Sequence, residues 1–175
     1  MIKEIFKNIV NRKEVVPCDK LRGFHGTEEA LVRFQGKIDA VFGRSLRIRQ
    51  VDAGSCNACE WECTALTNPV YDIQRFGVDF VASPRHADLL LISGPASRQM
   101  THAVKKTYRA MPGPRLVVAC GDCAIDGGIY KGSYAVTDGI DGIVPVDCLI
   151  AGCPPPPMQI ISGLLQLMEK IRAGR

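Results

Sequence analysis

The sequence predicts an α/β fold, a doubly wound and mostly parallel sheet, preceded by an N-terminal amphipathic helix and extension. Three observations lead to this fold class. Short apolar runs alternate with segments of helical periodicity from residue 45 onward, which is the pattern of repeated βαβ units. Pro and Gly interrupt the chain between these segments. Three groups of cysteines directly follow predicted strands, and loops after parallel strands converge on one crevice.

Length and composition set the broad class. The chain has 175 residues and 46% hydrophobic residues, which suits one globular domain with a real core. The net charge is +4, and Lys and Arg are spread along the chain without a basic run. Nucleic acid is therefore not expected as a partner.

The N-terminus and the number of cysteines predict the cellular compartment. Charges interrupt the first residues, so no signal peptide is predicted. No apolar run approaches the roughly 20 residues that span a bilayer, and an intracellular protein is expected. In a reducing cytosol, eight cysteines favour metal or redox chemistry over disulfides.

The first 44 residues are predicted to form a docking helix and extension, separate from the α/β domain at 45–175. Apolar residues at helical spacing predict the helix; they are Ile2, Ile5, Phe6, Ile9 and Val10. Its apolar face either packs on its own domain or docks on a partner or a membrane surface. Residues 11–44 are Gly-punctuated, with one further helix expected near 28–34.

From residue 45 the elements alternate. Strands are predicted at 46–51, 78–82, 88–93, 115–119 and 143–146. Helices are predicted at 60–66, 70–76, 100–110 and 158–173. The third strand is almost wholly apolar, so a central place in the sheet is expected. Residues 121–142 are rich in glycine without periodicity, which predicts a long functional loop.

The cysteines after the strands predict one metal centre. Cys56 and Cys59 follow the first strand, Cys120 follows the fourth, and Cys153 follows the fifth. Three predicted strands lie between Cys59 and Cys120, which does not fit the short linker of a zinc ribbon. Four thiolates from dispersed loops suit a 4Fe-4S cluster held by four cysteines, although a structural zinc site stays open.

The other cysteines carry weaker signals. Each of them is equally consistent with a small buried apolar side chain and with a metal ligand. They are Cys18, Cys63, Cys123 and Cys148. If Glu60 begins a helix, Cys63 lies one turn along it and is expected to pack. Glycines flank the candidate ligands and allow the backbone to approach a cluster closely.

Three motifs, in order, resemble one protein family. They are Cys-Asn-Ala-Cys-Glu at 56–60, Ser-Pro-Arg-His-Ala-Asp-Leu-Leu-Leu at 83–91, and Gly-Cys-Pro-Pro-Pro-Pro at 152–157. The family is the single-cluster electron-transfer subunit shared by complex I, where it is the 20 kDa subunit, and the membrane-bound energy-converting nickel–iron hydrogenases. The resemblance covers about residues 45 to 170.

The resemblance implies a flavodoxin-like fold with one proximal 4Fe-4S cluster, and Cys56, Cys59, Cys120 and Cys153 match the family's ligand positions. It implies a subunit of an oxidoreductase complex without a catalytic centre of its own. Electrons would pass between a ferredoxin-like iron–sulfur subunit and a large catalytic subunit. The chain would sit peripherally on the cytoplasmic face of the cell membrane, docked by its N-terminal helix on a membrane subunit.

The spacing of the first cysteine pair bears on the branch of the family. Complex I members carry two adjacent cysteines there, whereas Cys56 and Cys59 are separated by two residues, as in hydrogenase small subunits. This resembles the formate hydrogenlyase-type branch. Ala58, where that branch commonly has glycine, leaves room for a complex that reduces quinone or has lost nickel. A zinc-stabilised scaffold protein is the alternative from another class.

Three charged residues are candidates for tuning or proton relay. Glu60 and Glu62 would face the large subunit and could relay protons, or they could simply form an acidic first helical turn favoured by the helix dipole. Arg85 resembles a family arginine near the cluster, where a cation would favour the reduced form. A surface turn residue is the alternative for Arg85.

Overall fold

The computed structural model describes residues 27–173, and the side chains of 31–171. The predicted helix near the N-terminus and Cys18 lie outside these residues. The α-helices within residues 27–173 are α1 (Thr27–Phe42), α2 (Ala58–Ala65), α3 (Arg98–Ala110), α4 (Asp122–Asp126) and α5 (Pro157–Ala173). The strands of the same residues are β1 (Leu46–Asp52), β2 (Val78–Phe80), β3 (Leu89–Ser93), β4 (Leu116–Cys120) and β5 (Cys148–Ile150). No helix of the described part of the chain is long and apolar enough to cross a membrane.

The strands form one sheet in the order β2-β1-β3-β4-β5, and every pair is parallel. The predicted α/β fold class is therefore confirmed. β3 lies at the centre and all five of its residues are buried, as its apolar run predicts. The register aligns Asp52 with Ser93, Ser93 with Cys120, and Cys120 with Ile150. Four strands thus end level at one edge.

Helices cover both faces of the sheet. Strand residues alternate between the faces, so Leu89 and Leu91 join one apolar cluster while Leu90 and Ile92 join the other. The first cluster holds side chains of α1, α2 and α5, and the second holds side chains of α3 and α4. Lys37 of α1 and Glu169 of α5 also form an ion pair.

Helix α1 is longer than predicted from the sequence. The expected helix near 28–34 continues to Phe42, because buried apolar residues recur at helical spacing as Leu31, Phe34 and Ile38. Gly36 lies on the exposed side of this helix, where a missing side chain leaves no gap in the core. These buried residues place α1 in the same core as the sheet.

The predicted helix at 70–76 is wrong, and only a 3-10 turn forms at Ile73–Phe76. The Asn68 side chain accepts hydrogen bonds from the backbone of Val70 and Tyr71. Asp72 then adopts a left-handed conformation, with φ 41°. Side-chain bonds of this kind compete with a helix and favour a turn.

The fifth strand is also misplaced by the sequence, since it is Cys148–Ile150 and not 143–146. Ile143 and Val144 bond back to the carbonyl of Ile140 in a turn, and Val144 is buried in the second cluster. The apolar run fills the core without pairing. The predicted loop at 121–142 likewise contains α4 and a 3-10 turn at Gly128–Tyr130.

Candidate metal centre

The carboxyl edge of the sheet collects most of the cysteines. Cys120 is the last residue of β4, and the loops after β1, β4 and β5 bring further cysteines to the same edge. These are Cys56, Cys59, Cys63, Cys123 and Cys153. The remaining described cysteine, Cys148, lies in β5, where its thiol is 3.7 Å from the carbonyl oxygen of Gly163 in α5.

The loop after β1 is held by its own polar side chains. The Asp52 carboxylate accepts hydrogen bonds from the backbone of Gly54 and Ser55, each at 2.7 Å. The Ser55 hydroxyl accepts one from the backbone of Asn57 at 3.0 Å. This turn leaves Cys56 exposed and starts α2 so that Cys59 is buried.

Glu60 is fixed behind this loop by two hydroxyl groups. Ser55 Oγ donates to Glu60 Oε2 at 2.7 Å, and Ser93 Oγ, at the end of β3, donates to Glu60 Oε1. Ser93 is fully buried, so the carboxylate ties α2 to the centre of the sheet. Glu62 is half-buried, and within residues 31–171 its side chain has no hydrogen bond or ion pair.

The end of β4 brings buried thiols together. Strand alternation points Cys120 into the first apolar cluster, where it is fully buried beside Cys63. The thiols of Cys59 and Cys63 lie within hydrogen-bonding reach of the Cys120 thiol. The proximity of Cys120 lowers the pKa of Cys59, and the proximity of Cys59 and Cys63 together with burial raises the pKa of Cys120.

Gly121 explains how the sulfur of Cys59 fits here. Its φ is +92°, and a Cβ at this position would lie 2.7 Å from Cys59 Sγ. A side chain would therefore displace the thiol. Gly128 has the same relation to Cys123, since its Cβ would lie 3.0 Å from Cys123 Sγ. Two glycines thus clear the space that two sulfur atoms occupy.

The loop after β5 is attached to the loop after β4. The backbone of Asp122 donates to the carbonyl of Gly152 at 2.9 Å, and the Asp122 carboxylate accepts from the backbone of Gly152 at 2.8 Å. This double link carries Cys153 to Cys123, and the two thiols form a hydrogen bond. Cys153 is exposed, whereas Cys123 is 9% exposed.

Electrostatics identifies which thiols share one environment. Burial, then negative charge at Cys153, Cys59 and Cys56, raises the pKa of Cys123 to about 11. Burial, then charge at Asp122, Cys56 and Cys59, raises the pKa of Cys153. Burial and charge at Cys56, Cys123 and Cys153 also raise the pKa of Tyr130. Cys123 and Cys153 therefore each interact with Cys56 and with Cys59, and with one another.

The predicted ligand set and this arrangement overlap at three residues. The structure brings Cys56, Cys59 and Cys153 together, but it places Cys120 beneath them and Cys123 beside Cys153. The sequence interpretation leaves Cys123 open between a ligand and a packed side chain, because it treats 121–142 as one loop without helices. The overlooked signal is the spacing: Cys123 lies directly after the strand end and its Gly121 turn.

The donor set has the character of an iron–sulfur site. Within the described ranges, no group of three or more His, Cys, Asp or Glu residues surrounds a single point tightly enough to hold one metal ion. A cubane is larger than one ion, and its ligands stand further apart. Four thiols from three loops, with glycines leaving room for sulfur, fit such a cluster.

Arg85 lies apart from this arrangement. It is exposed in the 3-10 turn Pro84–His86, which precedes β3 and so lies near the opposite end of that strand. Its backbone donates to Ser83 Oγ, and no hydrogen bond or ion pair within residues 31–171 joins its side chain to a cysteine. Within the described residues, Arg85 therefore makes no contact through which it would have the effect on a cluster that the sequence predicts.

A sequence profile of the family described as NADH ubiquinone oxidoreductase, 20 Kd subunit, matches residues 56–167. A probable membrane-bound hydrogenase subunit of Pyrococcus furiosus is 43% identical over 129 residues, covering 74% of this chain and 77% of the relative. One NADH-quinone oxidoreductase subunit of Herpetosiphon aurantiacus is 48% identical over 122 residues, covering 69% of this chain and 66% of the relative.

A solved structure has a similar fold. It is a chain of the membrane-bound sulfane sulfur reductase, an archaeal respiratory membrane complex. The TM-score is 0.68 with 35% sequence identity, over 82% of this chain and 77% of that one. The match reaches beyond the cysteine loops to most of the described elements.

Proposed function

The chain belongs to the family of the 20 kDa subunit of NADH ubiquinone oxidoreductase, a family of subunits of oxidoreductase complexes, and on that premise we propose that it is an electron-transfer subunit with one 4Fe-4S cluster. The complex is of the membrane-bound, energy-converting nickel–iron hydrogenase type. The observation that carries the proposal is the meeting of thiols from three loops at the carboxyl edge of the sheet, where Cys123 and Cys153 each interact with Cys56 and Cys59.

The proposed ligands are Cys56, Cys59, Cys153 and Cys123, with Cys120 in place of Cys123 as the alternative that the sequence predicts. Cys123 is favoured because its thiol lies beside that of Cys153 and because negative charge at Cys56 and Cys59 raises its pKa. Cys120 contacts only Cys59 of this set, from below. When bound, the cluster supplies a one-electron redox centre.

The chain's own residues shape the site. Asp52 and Ser55 fold the first loop, Glu60 locks it to β3, and Asp122 holds the Cys153 loop. Glu60 accepts from two hydroxyl groups, which supports a fixed carboxylate near the first ligands. Proton relay through Glu60 or Glu62, and tuning by Arg85, stay predictions from the sequence.

The hydrogenase branch is supported by the two-residue spacing between Cys56 and Cys59 and by the hydrogenase relative of Pyrococcus furiosus. The second candidate, a quinone-reducing or nickel-free complex, is favoured by the similarity to the NADH-quinone oxidoreductase relative and to the sulfane sulfur reductase chain. Sequence identity does not separate the two, because both relatives are similar at comparable levels.

The proposed partners are a large catalytic subunit, a ferredoxin-like iron–sulfur subunit and a membrane subunit. Three exposed side chains lie in or beside the first and last cysteine loops: Cys56, Cys153 and Trp61. Trp61 is 68% exposed. A partner covering this side would exclude water from the centre, and solvent exposure tunes reduction potential. The proposed location is peripheral, on the cytoplasmic face of the cell membrane.

The test is elemental analysis of the natively purified, anaerobic assembly for iron, acid-labile sulfide, nickel and zinc. Iron and sulfide with nickel are expected. Iron and sulfide without nickel would move the assignment to the second candidate. Zinc in place of iron would overturn the redox function and favour a zinc-stabilised scaffold.

The ligand set is tested by serine substitution at single cysteines in the assembled complex. Cys123→Ser and Cys153→Ser are expected to abolish the cluster's EPR signal, because each removes a thiolate ligand. Cys148→Ser is the matched control, since Cys148 packs against α5 and its loss leaves the site intact. A native signal in Cys123→Ser would return the fourth position to Cys120.

A further inference from the structure

Two buried cysteines lie beneath the proposed ligands and are not needed to complete the set of four. Cys120 is fully buried and Cys63 is 1% exposed. They reach this position from different elements: Cys120 ends β4, and Cys63 lies one helical turn after Cys59 in α2. Cys59 and Cys63 are the buried residues of α2, so both thiols face the sheet where Cys120 points.

The position of Cys59 Sγ is fixed independently by the backbone beside Cys120. A Cβ on Gly121 would lie 2.7 Å from this sulfur, so Cys59 Sγ lies directly against the residue that follows Cys120. The Cys120 thiol shares the first apolar cluster with Cys63, and the thiols of Cys59 and Cys63 are close enough to it to raise its pKa. Of the proposed ligands, Cys59 is the one that touches both the site and the buried pair.

We propose that Cys120 is a positioning residue: its thiol donates a hydrogen bond to the sulfur of Cys59 and so raises the reduction potential of the bound cluster. This inference rests on the proposed function and on Cys123 as the fourth ligand. Cys63 is the second thiol that neighbours Cys120.

The direction follows from charge. One-electron reduction makes a centre of this kind one unit more negative, and the added charge is spread partly over the ligand sulfurs. A donor to one of those sulfurs is therefore bound more strongly in the reduced state, which raises the potential. Cys120 is fully buried, so its S–H group is shielded from competing hydrogen bonds to bulk water.

The experiment is a potentiometric EPR titration of the anaerobic assembled complex. The variants are Cys120→Ala, which removes the donor, and Cys120→Ser, which keeps a hydroxyl donor at nearly the same size. Cys148→Ala is the control for loss of a thiol elsewhere in the chain. The signal of this cluster is isolated by subtracting the spectrum of Cys123→Ser, and iron and sulfide are counted in each sample.

The expected result is a full cluster in Cys120→Ala with a more negative midpoint potential, and a potential in Cys120→Ser that returns toward that of the unmodified complex. Cys63→Ala, which leaves the bond to Cys59 in place, is expected to shift the potential in the same direction by less. The Cys148→Ala control keeps the unmodified potential.

Three results would overturn the inference. Loss of the cluster from both Cys120 variants, with Cys123→Ser retaining it, would make Cys120 a ligand. Equal potentials in all variants would remove the hydrogen bond as a tuning device. Equal negative shifts in the Ala and Ser variants would assign the effect to packing. An unmodified complex without iron and sulfide would instead overturn the proposed function, so the two failures are distinguishable.

Discussion

Gly121 shows at the scale of one residue how a missing side chain positions a thiol. Its backbone has φ 92° and ψ 154°, a region that is essentially restricted to glycine. A Cβ there would also meet the Cys59 sulfur. Both constraints act at the junction between β4 and the site, so glycine is required there by the backbone conformation and by the position of the sulfur.

Gly121→Ala is expected to reduce iron occupancy strongly and to lower the free energy of unfolding by about 1–3 kcal/mol, the range for a strained backbone. Iron per subunit and thermal unfolding by circular dichroism measure the two effects. The control is Gly142→Ala, where no atom lies within 4 Å of the added Cβ and φ is ordinary. Full iron occupancy in Gly121→Ala would contradict the packing argument.

The same residues show what the sequence predicted about the site and what it missed. The expectation that cysteines after strands converge was sufficient for Cys56, Cys59 and Cys153. It could not separate Cys120 from Cys123, because both follow the same strand. Strand alternation favours Cys123, since it turns Cys120 into the core, whereas the helical turn α4 brings Cys123 to Cys153, Cys59 and Cys56.

Asp88 illustrates how polar groups set the arrangement of elements. Its buried carboxylate accepts two hydrogen bonds from the Arg44 guanidinium, at 2.6 and 2.8 Å, and one from the backbone of Arg47 at 3.1 Å. The hydrogen bond and charge of Asp88 raise the pKa of Arg44. One side chain thereby ties the turn after α1 and the start of β1 to the start of β3.

Asp88→Asn is expected to lower the free energy of unfolding by about 1–3 kcal/mol, because the amide has one acceptor oxygen in place of two and leaves a part-buried donor without its partner. Urea unfolding of the subunit, followed by circular dichroism, measures the change. Asp79→Asn on β2 serves as the control, since the Asp79 side chain makes no ion pair within residues 31–171. Equal stability of the two variants would rule out the proposed link.

Elements were predictable where apolar spacing and backbone pairing agree. The first four strands lie close to their predicted places, because each apolar run both pairs and packs. The fifth failed because the apolar run around Val144 packs without pairing, whereas the Cys148–Ile150 strand is only three residues long and leaves Leu149 58% exposed. A short edge strand gives too few alternating residues for sequence reasoning to find.

For the whole molecule, the sequence predicts that an amphipathic N-terminal helix docks the chain on a membrane subunit. Deleting residues 1–12 is expected to reduce the amount of this subunit that co-fractionates with membranes, because the predicted helix supplies an apolar docking face. The iron content of the remaining subunit is expected to stay unchanged. Full-length Lys7→Gln, which keeps the apolar face, is the control. Unchanged co-fractionation of the deletion would place the attachment elsewhere.

The uneven exposure of the proposed ligands has a consequence for how the protein is made. Cys56 and Cys153 are open to solvent, while Cys59 and Cys123 are buried behind them. If the proposed partner covers this side, iron and sulfide would have to enter the folded subunit before that partner docks. Biogenesis would then run in one order, and a subunit that docked empty would be closed to repair.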